Sequence, residues 1–315
     1  MSGSEGWTAP AAPFVGGFLN INKEPGWTST DVVRRVKRLT GVKKVGHGGT
    51  LDPIGSGVLP ICLGAATRFA ETVLLGTKAY RVTVRLGAAT DTYDSTGAVT
   101  READASGITE AQVEAALTRF TGHLKQAPPA YSALKRGGKR LYDLARAGVE
   151  VETQPRPVEV HSILLTRWAW PEFDLEVECG HGFYARSLAH DIGVALGSAA
   201  HLSALVRTRA GKFELKDAAT LQELERRATT GGWQDLLFPL DWTLEHLRAA
   251  VLDPLRQELL QNGQPLPVGG LGERPGDFQP GEEVRAYSRE GQLVAILVYE
   301  PSRHGWRPDR VIHTG

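Results

Sequence analysis

The sequence predicts an α+β fold: a main body that combines strands and helices, followed by a small β module. Three observations carry this. Residues 79–86 alternate strictly, with Tyr80, Val82, Val84 and Leu86 on one side and Arg81, Thr83 and Arg85 on the other, the period-2 signature of a strand. Residues 29–39 instead place Val32, Val33, Val36 and Leu39 on one helical face. From about residue 247 the character shifts to short strand-like runs between Gly/Pro turns, too small for a main core.

Taken in order, residues 1–15 are small, polar and Gly/Ala/Pro-rich, and read as a disordered lead-in. Phe18 to Lys23 reads as a strand closed by the turn Glu24-Pro25-Gly26. Ser29 or Thr30 is expected to cap the following helix and Gly41 to stop it. Its outer face carries Arg34, Arg35, Lys37 and Arg38, with Lys43 and Lys44 beyond. Such a run is ordinarily a solvated surface, but here it leads into a glycine-rich loop, Gly46 to Gly57, and an apolar run, Val58 to Leu63.

Beyond the 79–86 strand comes a polar turn, Thr90 to Gly97, then a helix over 109–120 with a capping box of Thr109 and Gln112. Residues 125–150 break the pattern. Lys135, Arg136, Lys139 and Arg140 surround Gly137-Gly138, with Tyr131 and Tyr142 nearby. Basic charge among aromatics on a glycine-hinged segment suits a grip on RNA, although an ordinary polar loop reads the same way. Strands follow over Val158 to Trp168 and Phe173 to Cys179. Gly180-His181-Gly182 then precedes a helix whose first turn would hold Tyr184 and Arg186. Leu205 to Phe213 is a basic strand candidate, and a second capping box is expected at Thr220 to Glu223. In the terminal module, strands are expected over Glu283 to Ser288 and Gln292 to Tyr299, and Arg303, His304, Arg307 and Arg310 give a basic end.

Composition bounds the function. Lys plus Arg equals Asp plus Glu at 36 each, so bulk charge offers no argument for a nucleic-acid partner; only its distribution does. Cys62 and Cys179 lack CxxC spacing and read as buried reduced thiols of a cytoplasmic protein, not as a zinc site. No apolar run approaches the roughly 20 residues of a membrane span. The glycine loop lacks the Gly-Lys-Ser/Thr of a P-loop, and Gly46-x-Gly48 lacks the third glycine of a dinucleotide fingerprint. What the loop does present is Asp52, stiffened by Pro53. A carboxylate on a stiff loop beside buried structure is how a nucleophile or base is often held, although a lone Asp-Pro pair reads equally as an Asx turn.

The whole string, Gly46-His47-Gly48-Gly49-Thr50-Leu51-Asp52-Pro53-Ile54-Gly55-Ser56-Gly57-Val58-Leu59-Pro60, resembles the catalytic loop of the TruB-type tRNA pseudouridine synthases. Gly48 and Thr50 stand where relatives often carry Thr and Ala, and Val206 where they often carry Arg. Separate motifs resemble the family elsewhere: Asn22-Lys23-Glu24-Pro25-Gly26, Lys78-Ala79-Tyr80-Arg81-Val82, Asp94, Tyr184-Ala185-Arg186 and Leu205. The resemblance implies a pseudouridine synthase fold, with a mixed, largely antiparallel sheet flanked by helices and a PUA-like β module. It implies a catalytic domain over 16–246 with a thumb-like RNA-binding insertion at about 125–150, and an RNA-binding module over 247–315.

By the same resemblance, Asp52 is the nucleophile, Tyr80 stacks on the flipped uracil, Tyr184 is a second active-site tyrosine and Arg186 pairs with Asp52. Asp94 is a second acid on that arginine, His47 helps hold the target nucleotide extruded, Leu205 lines the pocket, and Lys23 supports the floor. Lys135, Arg136, Lys139 and Arg140 belong to the thumb that closes over tRNA. The implied reaction converts uridine 55 of the tRNA T-loop to pseudouridine by base flipping, and it needs no cofactor and no metal. The attacking carboxylate must be ionised, which a neighbouring guanidinium favours; attack at C1′ and at C6 both remain open. The expected partner is the tRNA T arm, with the chain acting as a monomer. Two alternatives stand beside this. A guide-RNA-dependent pseudouridine synthase shares the catalytic motifs but typically lacks the thumb insertion and carries a larger C-terminal module. The other is a non-catalytic tRNA-binding chaperone, against which the intact set of Asp52, Tyr80, Tyr184 and Arg186 argues. An aspartate-nucleophile hydrolase of small substrates would have no use for the thumb.

Overall fold

The computed structural model describes residues 14–131, 135–136, 139–140, 153–274, 276–303 and 305–313, with backbone alone at 135–136, 139–140 and 303. The chain opens with β1 (Gly16–Lys23), α1 (Ser29–Thr40), β2 (Val45–His47) and β3 (Gly55–Gly64). It continues through α2 (Ala70–Leu75), β4 (Lys78–Leu86), β5 (Ala88–Thr90), β6 (Val99–Glu102), α3 (Glu110–Leu117) and β7 (Gly122–Gln126). The basic segment contributes a short antiparallel pair, β8 (Lys135–Arg136) and β9 (Lys139–Arg140). Then come β10 (Arg156–Ala169), β11 (Glu172–Cys179), α4 (Ala185–Ala195), β12 (Ala200–Ala210), β13 (Phe213–Glu214), β14 (Ala219–Thr220), α5 (Leu221–Thr230) and β15 (Leu237–Phe238). The last part holds β16 (Arg248–Val251), α6 (Pro254–Gln261), β17 (Glu283–Tyr287), β18 (Leu293–Glu300) and β19 (Gly305–Val311).

The main sheet runs β14-β1-β3-β12-β4-β11-β10-β7. Only the β1/β14 and β3/β12 pairs are parallel, so the sheet is mixed and largely antiparallel. Side-chain alternation sends each strand's residues to two different cores. Leu19 and Ile21 of β1, with Leu59, Ile61 and Leu63 of β3, join Val32 and Val36 of α1, Leu188 and Ile192 of α4 and Leu224 of α5. Phe18, Val58 and Cys62, in the opposite phase, join Phe69, Val73, Phe213 and residues of the C-terminal module, Leu293, Ile296 and Ile312. Helices α1, α4 and α5 therefore cover one face, while α2 and the terminal module pack on the other. That module has its own sheet, β16-β17-β18-β19, and its own core around Trp306, Leu260 and Leu266.

Several local expectations shift. Thr28, not Ser29 or Thr30, caps α1, forming a reciprocal box with Asp31. Ser29 is thereby free to fasten the glycine loop to the helix, its Oγ donating to Leu51 O at 3.0 Å and accepting from Leu51 N at 2.9 Å. The capping box over 109–120 is present, but the α-helix tightens to a 3-10 turn after Leu117. At α5 the box is one-sided: Thr220 accepts from Glu223 N, while the Glu223 carboxylate turns to Arg226 and Arg227. β12 begins five residues before Leu205. Its opening Ala-His-Leu-Ser run has weak strand propensity, but lies between β4 and the Thr90–Gly97 turn, where pairing overrides propensity.

Pro60 sits within a central strand, where a missing N–H is normally excluded. It is tolerated because the residue opposite it, Gly48 just past the end of β2, uses only the Pro60 carbonyl: Gly48 N donates to Pro60 O at 2.9 Å, and β12 pairs with β3 only through Gly57. Among the described residues, no helix is long and apolar enough to cross a membrane. The expected tail lies almost wholly outside the described residues, as do Gly137-Gly138, Tyr142 and His304, and the side chains of Lys135, Arg136, Lys139, Arg140 and Arg303.

Candidate active site

The glycine loop leaves β2 and returns into β3, held from below by buried cations. Lys23, fully buried at the end of β1, donates from Nζ to Trp27 O at 2.8 Å, Glu24 O at 3.0 Å and Pro53 O at 3.4 Å. Burial pushes its pKa down to about 8, with nearby Asp52 opposing the fall and Arg207 adding to it. Gly26 N reaches Pro53 O at 2.7 Å, and Gly55 N closes a tight turn onto Asp52 O at 3.0 Å. The residue expected to support the floor therefore does hold the Asp52-Pro53 segment.

Asp52 projects from this loop toward α4. Arg186 grips it in a two-pronged pair: Nε donates to Oδ2 at 2.8 Å and Nη2 to Oδ1 at 3.0 Å. The guanidinium is buried, 5% exposed, whereas the Asp52 side chain keeps 28% of its surface open, so the carboxylate is reachable from outside. Arg186 has further partners. Nη1 donates to Thr92 O at 3.2 Å, Nη2 to Tyr131 O at 3.0 Å, and Asp94 Oδ2 stands 3.8 Å from Nη1. Asp94 is itself fixed, its Oδ1 accepting from Thr92 Oγ1 at 2.8 Å, Thr96 N at 3.0 Å and Thr96 Oγ1 at 2.5 Å. The predicted Asp52–Arg186–Asp94 set is brought together, with Asp94 at ion-pair distance and without a direct hydrogen bond.

Tyr184 is the N-cap of α4 and so lies just before its first turn, slightly earlier than expected. Gln126 at the end of β7 latches it, accepting from Tyr184 N at 2.8 Å and donating to Tyr184 O at 3.0 Å. Tyr80 shares the inward phase of Val82, Val84 and Leu86, but unlike them it is only half-buried, 6.4 Å from the Phe183 ring. Burial raises its phenol pKa while Arg207 opposes the rise, so the hydroxyl is neutral at physiological pH. His47 on β2 accepts from Gly49 N at 3.3 Å through Nδ1. Burial first, and then Arg207, lower its pKa and keep the imidazole neutral near pH 7. Leu205 is buried opposite Gly55 on β3 and Val82 on β4.

Sequence reasoning overlooked Arg207. It is 1% exposed and donates to Val58 O at 2.6 Å, Thr50 O at 3.1 Å and Gly49 O at 3.1 Å. It thus carries the loop from the sheet side as Lys23 does from the turn side. It pairs across the sheet with Tyr80 and with Gly57, where a Cβ would stand 2.3 Å from Arg207 O. The one available signal was phase: Arg207 shares the inward register of Leu205 on a strand read only as basic.

A family model for TruB family pseudouridylate synthase (N terminal domain) matches residues 37–185, and one for the tRNA pseudouridylate synthase B C-terminal domain matches 186–255. This chain belongs to the TruB family. Its resemblance to curated members is broad. A protein named tRNA pseudouridine synthase B from Symbiobacterium thermophilum is 54% identical over 217 residues, covering 68% of this chain and 73% of the relative. One of the same name from Dehalococcoides mccartyi is 41% identical, covering 94% and 96%. Another, from Burkholderia pseudomallei, is 42% identical, covering 95% and 97%. Among solved structures, a Cbf5-Nop10-Gar1 complex superposes with TM-score 0.72 at 26% identity, covering 98% of this chain and 92% of that one. An archaeal box H/ACA sRNP Nop10-Cbf5 complex gives 0.70 at 25%, covering 94% and 86%. The two TruB segments meet inside the site: Asp52 lies in the first and Arg186 opens the second.

Proposed function

We propose that this TruB-family chain is a tRNA pseudouridine synthase that isomerises uridine 55 in the T-loop, with Asp52 as nucleophile. The observation that carries the reading is the two-pronged Asp52–Arg186 pair, whose carboxylate is oriented yet open on one side. The relatives' shared name supports tRNA as substrate, at 41–54% identity. The box H/ACA sRNP Nop10-Cbf5 and the Cbf5-Nop10-Gar1 complexes resemble the chain at only 25–26%.

The chemistry follows from the geometry. The target uridine leaves its stack, at a cost of a few kcal/mol. Stacking on the half-buried Tyr80 ring returns about 1–3 kcal/mol, and basic contacts to the RNA backbone supply the rest. The family resemblance assigns those contacts to Lys135, Arg136, Lys139 and Arg140 of the β8–β9 pair, and gives His47 on β2 a part in holding the nucleotide extruded. Leu205 forms an apolar wall. Asp52 attacks C1′ or C6; by either route the C1′–N1 bond breaks, the uracil turns, and a C1′–C5 bond forms. The C5 proton is lost and N1 regains one, so the net change is isomerisation. Tyr184 relays the departing C5 proton. Arg186 holds the carboxylate at the attack angle, and the Thr92, Tyr131 and Asp94 oxygens hold Arg186.

Incubation of an unmodified tRNA transcript with the enzyme, followed by mapping of pseudouridine, tests the assignment. The reading expects one new pseudouridine, at position 55, and none in a transcript carrying cytidine there. Modification elsewhere, or none, contradicts it.

A further inference from the structure

Arg186 is only as well placed as the turn that supplies its outer partners. That turn, Thr90 to Gly97, is an unusual piece of backbone: Tyr93 has φ 62°, the one non-glycine in the left-handed region among the described residues. A side chain there is strained, and such a conformation persists only where its surroundings hold it. Tyr93 is held at both ends. Its N–H donates to Thr90 O at 3.2 Å, and its carbonyl accepts from Leu202 N at 3.0 Å. Its ring lies flat on His190 of α4, with centroids 4.0 Å apart and planes within 11°.

The position of that histidine matters. His190 is four residues after Arg186, so both project from one face of α4 on successive turns. The turn touches this face twice, through Thr92 O on Arg186 and through the Tyr93 ring on His190. The imidazole is used for its face, because Nδ1 is buried without a hydrogen-bond partner. Burial, aided by Arg101, lowers its pKa and keeps the ring neutral.

We infer that Tyr93 is a positioning residue: its stack on His190 clamps the Thr90–Gly97 turn to α4 and so fixes the Thr92 carbonyl and the Asp94 carboxylate that orient Arg186. Neither ring needs to touch substrate. The inference rests on the Asp52–Arg186 reading above and extends it to what sets the arginine's angle.

The test is single-turnover and steady-state tritium release from tRNA labelled at uridine C5, with tRNA binding and thermal melting measured in parallel. Tyr93→Gly accepts the left-handed backbone without strain but deletes the ring; Tyr93→Phe keeps the ring. Tyr93→Gly should lower kcat by at least about tenfold with KM for tRNA within about twofold, while Tyr93→Phe stays within about twofold of wild type. His190→Ala should follow the first and His190→Phe the second, reading the same contact from the helix side if a Tyr93 variant fails to fold. In an Arg186→Lys background, Tyr93→Gly should cost less than about threefold more, because its effect passes through the guanidinium. Wild-type kcat in both Tyr93→Gly and His190→Ala overturns the inference, as does the same fold-loss in the Arg186→Lys background. An inactive Tyr93→Phe overturns it too, by assigning the role to the hydroxyl. Should wild type release no tritium, the functional reading itself fails and the inference goes with it.

Discussion

Arg186 makes four hydrogen bonds and one ion contact from a buried position, and no shorter or single-pronged cation can reproduce them. Lysine would keep the charge yet serve one Asp52 oxygen at most, leaving the Thr92 and Tyr131 carbonyls unpaired. Arg186→Lys is therefore expected to lower kcat by about 100-fold or more while tRNA affinity holds, read by steady-state kinetics alongside filter binding. Lys23 invites a pH experiment. Its folded pKa of about 8 lies below the unfolded value of 10.5. Between those values the unfolded chain binds the extra proton, so the lysine's contribution to stability rises with pH there and levels off above. The stability difference between wild type and Lys23→Met, measured by denaturant melts, should grow from about pH 8 to pH 10.5 and be flat below. Asp52, Arg186 and Lys23 were legible because each sits in a dense motif. Arg207 was not, because one strand residue's phase says nothing of the loop carbonyls it meets in three dimensions.

The same distinction separates elements. α1, β4 and β11 were readable from periodicity, and the α3 cap from its Thr-x-x-Gln spacing. The early start of β12, Pro60 inside β3 and the true cap of α1 depended on partners distant in sequence. Gly57 shows how tightly two elements fit. Its φ of 98° is in the glycine-favouring region, and β12 passes so close that a Cβ would stand 2.3 Å from a backbone oxygen. The Arg207 O, C and N atoms that the Cβ would meet are all backbone, so none can swing away. Gly57→Ala should destabilise the protein by about 3 kcal/mol or more, seen as a lowered urea midpoint, and displace Arg207 from the loop it supports.

At the scale of the molecule, one sheet serves two cores. Helices α1, α4 and α5 close one face, and the terminal module, with α2, closes the other through Leu293, Ile296 and Ile312. The sequence announced a β module there, but not that its apolar residues complete a core begun by Phe18 and Val58. It also left the basic face of α1 undecided. Lys37 and Arg38 lie in the last turn of α1, the helix whose Ser29 fastens the glycine loop. If tRNA crosses this face, Lys37→Glu with Arg38→Glu should raise KM for tRNA by about tenfold and flatten its dependence on salt, with kcat little changed. An unaltered salt slope would place the RNA elsewhere. The central claim concerns Asp52, and the most direct measurement is tritium release from C5-labelled, unmodified tRNA by wild type and by Asp52→Asn, with binding measured in parallel. The account predicts one equivalent released per tRNA by wild type and none by the variant, which still binds. Release by the variant at the wild-type rate would contradict it.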